Sequence, residues 1–282
     1  MVAFSIFWWD IYRYGIFYFI SFLLCYWFLF VLGRKKIFYR SPELQKILTE
    51  SLDSLMIAIL LWVIVWGRLG HFFIYHLEDF LHAPLSVFEI WKGGMSFIWW
   101  IIGVSCALFC FKKIYKISFQ TFLLLVSCLL VFVPLGIFLG RLWNYLNQEL
   151  YGIVFQNSWW SEEIVNLLKS LNLLHVYPHV DAQRRINTNL LSMIFEWLLL
   201  FFVQMVTFLS MIKKKIFHPV SLISQFVMGY SLFRFLFEYL RNDSQSEFVG
   251  IFTKSQWFFF FFFFFGLLLL RILKRKNRFL LL

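Results

Sequence analysis

The feature that most constrains this chain is a recurrence of long apolar runs. Seven stretches come close to or exceed the roughly 20 residues that a helix needs to cross a bilayer: residues 12–33, 52–69, 95–111, 119–142, 190–212, 220–240 and 252–273. Inside hydrocarbon every backbone N–H and C=O must be satisfied within the segment, so runs of this length read as helices. Composition closes the alternatives. The 282 residues are 61% hydrophobic and 15% charged, against roughly 45–50% and about 25% in soluble domains. Too little polar surface remains to cover a soluble core, which excludes a soluble enzyme, a disordered tail and a secreted disulfide scaffold. The expected fold is an all-α integral membrane protein of seven transmembrane helices. It forms one polytopic domain over 1–282 with a loop or cap region at about 142–189. The first ten residues carry no Lys or Arg, so no cleaved leader is expected.

Charge sets the expected orientation. Arg34-Lys35-Lys36 follow the first run, Lys112, Lys113 and Lys116 the third, and Lys213-Lys214-Lys215 the fifth. Arg271, Lys274, Arg275, Lys276 and Arg278 follow the seventh. The odd-numbered exits carry 16 of the 26 Lys+Arg and three of the 15 acids (Glu43, Glu50, Asp53). The positive-inside rule then puts the amino terminus outside and the carboxyl terminus in the cytoplasm. The net charge of +11 is absorbed by this bias, and no nucleic-acid partner is expected. Cys25, Cys106, Cys110 and Cys128 all lie in apolar runs without zinc-type spacing. They read as small apolar residues, and no metal or other cofactor is expected. Trp159-Trp160 read as an interfacial anchor, and the eight phenylalanines at 258–265 as lipid-facing filler.

A few charges sit where they are costly. Arg68 and Arg141 close the second and fourth runs, Glu196 lies early in the fifth, and Arg234 and Glu238 lie late in the sixth, with Arg241 one turn on. Each costs on the order of 2.5–3.5 kcal/mol within a span, so such groups turn inward and pair. Arg234 and Glu238, four apart, can pair on one helix face. In the expected orientation all of these, with Arg13 and Tyr14, reach the outer leaflet. Guanidinium groups hold phosphate bidentately, so three converging arginines (Arg68, Arg141, Arg234) suit an anionic lipid headgroup. The polar stretch at 140–152 is bounded by glycines, and Gly136 and Gly140 have the spacing of close helix approach.

That stretch resembles the signature of the prolipoprotein diacylglyceryl transferases, Gly-Arg-x-Gly-Asn-Phe-x-Asn-x-Glu-x-x-Gly. It matches at Gly140, Arg141, Asn144, Asn147, Glu149 and Gly152, and departs at Trp143 and at Tyr145, where the family has Phe. Arg13-Tyr14-Gly15, Gly67-Arg68-Leu69-Gly70, Trp91-Lys92-Gly93-Gly94-Met95-Ser96-Phe97 and Gly229-Tyr230-Ser231-Leu232-Phe233-Arg234 resemble further family segments in the same order. The resemblance implies a bacterial inner-membrane enzyme. It moves diacylglyceryl from phosphatidylglycerol to the lipobox cysteine of a preprolipoprotein, making a thioether and releasing glycerol phosphate. It implies Arg141, Arg234 and Glu149 as catalytic residues. Tyr14, Arg68, Asn144, Asn147, Gly152, Glu196, Tyr230, Glu238 and Arg241 are implied to bind or position the lipid.

Two departures touch proton handling. Where the family has His-Gly-Gly, this chain has Ile98-Trp99-Trp100, and of the family's His-Pro-Ser-Gln-x-Tyr-Glu only Ser192 and Glu196 remain. Three readings stay open: an active transferase whose thiol is deprotonated by Glu149, a loop histidine (His71, His76 and His82 follow the second run) or water; a degenerate paralogue that binds anionic lipid or lipoprotein; and an unrelated seven-span transporter or receptor.

Overall fold

The computed structural model describes residues 2–6, 9–75, 77–82, 84–88, 97–156, 160–178, 180–242, 248–273 and 279–280. The framework is helical. Six helices among the described residues are long and apolar enough to span a membrane: Ile16–Arg34, Leu52–Phe73, Phe119–Leu146, Thr188–Lys213, Pro219–Leu240 and Lys254–Ile272. This is a multi-pass membrane protein. The third expected run corresponds to the 18-residue helix Phe97–Ile114, which is not among those six. Residues 95 and 96 of that run, and 91–94 of the motif before it, lie outside the described residues.

The chain divides into two compact units, one of Met1–Ile16 and Tyr26–Leu125, the other of Phe17–Cys25 and Val126–Leu282. The first opens on a short antiparallel pair, β1 (Val2–Ile6) and β2 (Trp9–Tyr12), which the apolar pattern did not suggest. Then come α1 (Arg13–Arg34), α2 (Pro42–Glu50), α3 (Leu52–Tyr75), α4 (Leu77–His82), α5 (Phe97–Ile114) and the start of α6 (Phe119–Leu146). α2 is a small amphipathic helix with Pro42 at its first turn. It buries Leu44, Ile47 and Leu48, the i, i+3, i+4 face. Its Gln45 amide donates to the Gly33 carbonyl at 2.7 Å, joining the Lys36 N–H at the end of α1.

α3 and α5 pack closely because their glycines remove the usual side-chain spacer. A Cβ on Gly103 would strike the Trp62 carbonyl, and one on Gly70 would fall inside the Trp99 ring. Trp99 stacks on Trp66 at 5.5 Å. Trp99 is therefore seated against a glycine of the neighbouring helix. The basic exits share a stop signal. Lys36 and Lys116 adopt left-handed φ of 50°, and Ile37 and Ile117 then bond back to Leu32 and Lys112. These are six-to-one helix ends with an apolar residue following. Lys215 is also left-handed, at φ 59°.

Glu43 hooks α2 to the start of α6. Its carboxylate accepts from the Ser118 N–H (3.1 Å), the Ser118 hydroxyl (2.8 Å) and the Thr121 hydroxyl (2.7 Å). These bonds favour the charged form and hold its pKa below the ordinary 4.5. A folded-state pKa below the unfolded one stabilises the fold above the unfolded value and ceases to do so as pH falls through the folded one. Thermal unfolding in detergent should therefore lose midpoint as pH drops below about 4.5. Glu43→Gln should flatten that loss, and an unchanged acid slope in the variant would refute the assignment.

In the second unit, Gly140 and Gly136 of α6 face Tyr18 and Ser21 of α1, the close approach that their spacing implied. After α6 the chain folds a small element: α7 (Glu162–Ser170), capped by Ser161, and the antiparallel hairpin β3 (Leu174–Val176) and β4 (Arg184–Ile186). Tyr177 is completely buried there, whereas Trp160 is exposed and Trp159 lies outside the described residues. A continuous helix follows: α8 (Thr188–Leu191), a π-helical stretch (Ser192–Leu199) and α9 (Leu200–Lys213). Next come β5 (Ile216–Phe217), α10 (Pro219–Phe237), a 3₁₀ turn (Glu238–Leu240), the β6–β7 pair (Phe248–Val249, Phe252–Thr253), α11 (Lys254–Leu273) and β8 (Phe279–Leu280), which pairs with β5. Thr253 and Gln256 bond reciprocally through side chain and backbone, a capping box that starts α11.

Candidate active site

In the second unit a narrow cleft opens among Arg141, Leu150, Thr188, Asn189, Ser192, Glu196, Arg234, Phe237 and Arg241. Four segments deliver these side chains. α6 brings Arg141, its following turn Leu150, the helix from α8 through the π stretch Thr188 to Glu196, and the end of α10 Arg234 to Arg241.

The charges form a chain. Glu196, fully buried, lies 4.0 Å from Arg234. Arg234 lies 3.3 Å from Glu238, and Glu238 lies 3.7 Å from Arg241. The expected Arg234–Glu238 pair is present, joined by one more partner at each end. Three arginines against two carboxylates leave the cleft net positive. Arg141 has no hydrogen-bond or ion-pair partner among the described residues. A guanidinium cannot shed its charge, so Arg141 brings to the cleft a positive charge that no described side chain pairs.

The π-helical turn sets how Glu196 points. In such a turn residue i meets i+5 rather than i+4. The Trp197 indole N–H donates to Ser192 Oγ at 3.2 Å, and the Ser192 hydroxyl donates to Glu196 Oε2 at 2.6 Å. That leaves Oε1 toward Arg234. Glu196 Oε1 and Asn189 Oδ1 are buried acceptors without a hydrogen-bond donor.

The motif turn is held from both sides. Gln148 and Leu150 take left-handed φ of 59° and 52°. The Thr188 hydroxyl donates to the Leu150 carbonyl (2.8 Å) and the Asn189 amide to the Glu149 carbonyl (2.6 Å). Gly152 is bonded to Ile186 (3.2 Å) and bridged to Arg241. A Cβ there would collide with the Ile186 and Leu240 carbonyls, which is why a glycine ends the motif.

The other expected site residues fall as follows. Tyr230 lies within electrostatic reach of Arg234, Glu196, Arg141 and Glu238. Its ring packs on Trp197 (5.0 Å) and Phe259 (5.4 Å). The Glu149 side chain is exposed, accepting from the Asn147 amide at 3.3 Å, and like Asn144 and Asn147 it does not line the cleft. Arg68 belongs to the first unit, where it is buried, donates to the Ser86 carbonyl at 2.7 Å and lies 4.9 Å over the Phe72 ring. The Tyr14 side chain and His76 lie outside what is described.

Sequence reasoning missed Thr188, Asn189 and Phe259. The first two were announced by Asn187, an amide that caps the helix through the Leu190 N–H. Phe259 corrects the reading of 258–265 as filler. Phe258, Phe260–Phe262, Phe264 and Phe265 are exposed, but Phe259 carries the Arg234 guanidinium 5.9 Å over its ring. Only the i, i+4, i+7 spacing of Phe259, Phe263 and Gly266 could have marked the inward face.

Comparison with known proteins gives one consistent result. The model of the family described as prolipoprotein diacylglyceryl transferase matches residues 1–272. The chain is 31% identical over 245 residues to the phosphatidylglycerol–prolipoprotein diacylglyceryl transferase of Ehrlichia ruminantium (strain Welgevonden), covering 82% of this chain and 79% of that protein. It is 34% identical over 233 residues to the protein of that name from Wolbachia pipientis wMel (82% and 78%). To the one from Legionella pneumophila (strain Paris) it is 31% identical over 253 residues (88% and 86%). Matched in this way over nearly its whole length, the chain belongs to the prolipoprotein diacylglyceryl transferase family.

Proposed function

We propose that this protein transfers diacylglyceryl from phosphatidylglycerol to the lipobox cysteine of a prolipoprotein, with the arginine-lined cleft as the phosphate site. The observation that carries this is the meeting of Arg141, from α6, with Arg234, from α10, and Arg241, just after the 3₁₀ turn, in one cleft. Breaking the bond between glycerol carbon and phosphate oxygen builds charge on the departing phosphate. Positioned guanidiniums in a half-dry site stabilise that charge. Glu196 and Glu238 hold Arg234 in place, while Arg141 is left for the anion. Asn189 Oδ1 and Glu196 Oε1, acceptors that lack donors, suit the hydroxyls of a glycerol headgroup. Tyr14, Asn144, Asn147, Gly152 and Tyr230 position the lipid or the motif turn. Glu149 is read as supporting that turn through its backbone and Asn147. Arg68, in the first unit, is read as lipid-binding on the family resemblance alone. The protein works as one polytopic domain of the bacterial inner membrane. It has seven spans, counting the Phe97–Ile114 helix, with the amino terminus outside, the segment at 142–189 as an outer cap and the carboxyl terminus in the cytoplasm.

The test is a transfer assay with the full-length protein in vesicles containing labelled phosphatidylglycerol and a lipobox peptide. Label on the peptide cysteine, with glycerol phosphate released in equal amount, is the expected result. Phosphatidylglycerol binding without product would replace this reading with that of a non-catalytic lipid-binding paralogue.

A further inference from the structure

A thiol with an ordinary pKa near 8.5 is mostly protonated at neutral pH, so the transfer needs a proton acceptor. The cleft does not offer one. Glu196 and Glu238 are committed to arginines, and Ile98 cannot take a proton. The segment after α6 holds a histidine in a different setting. Asn172 follows α7 with φ of 55°, the left-handed helix-ending position that asparagine fills more readily than other side-chain-bearing residues. From there its amide reaches two partners. Nδ2 donates to the Tyr145 hydroxyl oxygen at 2.7 Å, and Oδ1 lies 3.1 Å from His175 Nδ1. With Nδ2 facing the tyrosine, Oδ1 is the acceptor, so Nδ1 carries the imidazole proton. Nε2 then keeps the lone pair, and no described residue donates to it.

The ring is held in place by Tyr145, at 5.3 Å, and by Tyr177, edge-on at 4.9 Å. The titratable and charged groups around it are Tyr145 from α6, Tyr177 on its own segment, and Arg185 opposite it on β4, paired with Asp181. Burial holds the imidazole pKa below its ordinary 6.5, so at neutral pH the ring is neutral and its Nε2 lone pair is free to accept a proton. The network adjoins the phosphate site. Tyr145 is one helical turn beyond Arg141. The Asn172 carbonyl accepts from the Asn187 amide at 3.0 Å, and Asn187 immediately precedes Thr188 and Asn189 of the cleft. The hydroxyl that anchors Asn172 is itself one of this chain's departures from the family motif, where phenylalanine stands.

We propose that His175, aligned by Asn172 and Tyr145, takes the proton of the acceptor thiol; this rests on the transferase reading above. Nε2 accepts the S–H proton. The sulfur electron pair forms the C–S bond to the glycerol carbon of the lipid. The C–O bond to phosphate breaks and its electron pair leaves with glycerol phosphate, facing Arg141 and Arg234. The proton on His175 then passes to water.

The test uses the same vesicle assay over a range of pH. His175→Gln should lower kcat by about 10²-fold or more, within the range for a lost general base. It should leave KM for the lipid unchanged and lose the acid limb of the wild-type profile. Imidazole should restore part of the rate to His175→Gly. Asn172→Asp supplies an independent readout if the histidine variants do not fold. A carboxylate at Nδ1 raises the imidazole pKa, so the acid limb should move to higher pH. If His175→Gln keeps the wild-type kcat and acid limb while Arg141→Ala is inactive, or if Asn172→Asp leaves the limb in place, the histidine is not the base and the transferase reading stands. A wild-type protein that forms no product overturns both.

Discussion

Arg141→Ala is expected to cut diacylglyceryl transfer by about 10²–10³-fold, the usual effect of removing one donor to a developing oxyanion, while leaving the protein folded. The reason lies in its surroundings. Arg141 lines the cleft but has no acceptor of its own among the described residues, so its loss strands nothing. Arg234→Ala should lose at least as much activity and also destabilise the fold. It leaves Glu196 and Glu238 buried beside an absent cation, and breaking a buried pair from one side costs about 3–5 kcal/mol. Measured together, transfer rate and thermal midpoint in detergent separate the two roles. Equal loss of midpoint in both variants would mean that Arg141 is structural. Full activity in either would remove it from the phosphate site.

Gly152→Ala is expected to lower the thermal midpoint and to abolish most transfer, although no catalytic group is touched. The motif turn passes between residues 186–188 and residue 240 so closely that a Cβ meets the Ile186 and Leu240 carbonyls and the Thr188 methyl group. Backbone carbonyls cannot rotate away as a side-chain tip can. Forced overpacking of this kind costs about 1–3 kcal/mol. The shift would be transmitted directly, because the bonds from Thr188 to Leu150 and from Asn189 to Glu149 hold the cleft wall to the same turn. A variant with wild-type midpoint and rate would show that the crossing has slack.

Much of the framework was legible in the sequence. Hydrocarbon length and backbone satisfaction mark six of the seven apolar runs as long membrane helices. The i, i+4 relation brings Arg234 and Glu238 together, and the four-residue spacing of Gly136 and Gly140 marks a face where another helix comes close. The π register was not legible, because a hydrophobic run looks the same at 3.6 or 4.4 residues per turn. Nor were the roles of Asn172 and His175, which sit in a segment without periodicity and are joined to each other and to Asn187 by side-chain bonds across 15 residues or fewer.

What the sequence determined alone is what depends on local spacing and on the cost of polar groups in lipid: a helical membrane protein, with inward-turned charges and narrow glycine faces. Which charges meet was decided only by tertiary structure. Glu196 joins Arg234 because a π turn redirects it, Arg141 reaches the same cleft because the turn after α6 is clamped at Gly152, and Phe259 is set under Arg234 by the close seating of Gly266 on Met228. Each of these depends on the direction of a side chain across a gap between elements, and residue order along one element does not encode that direction.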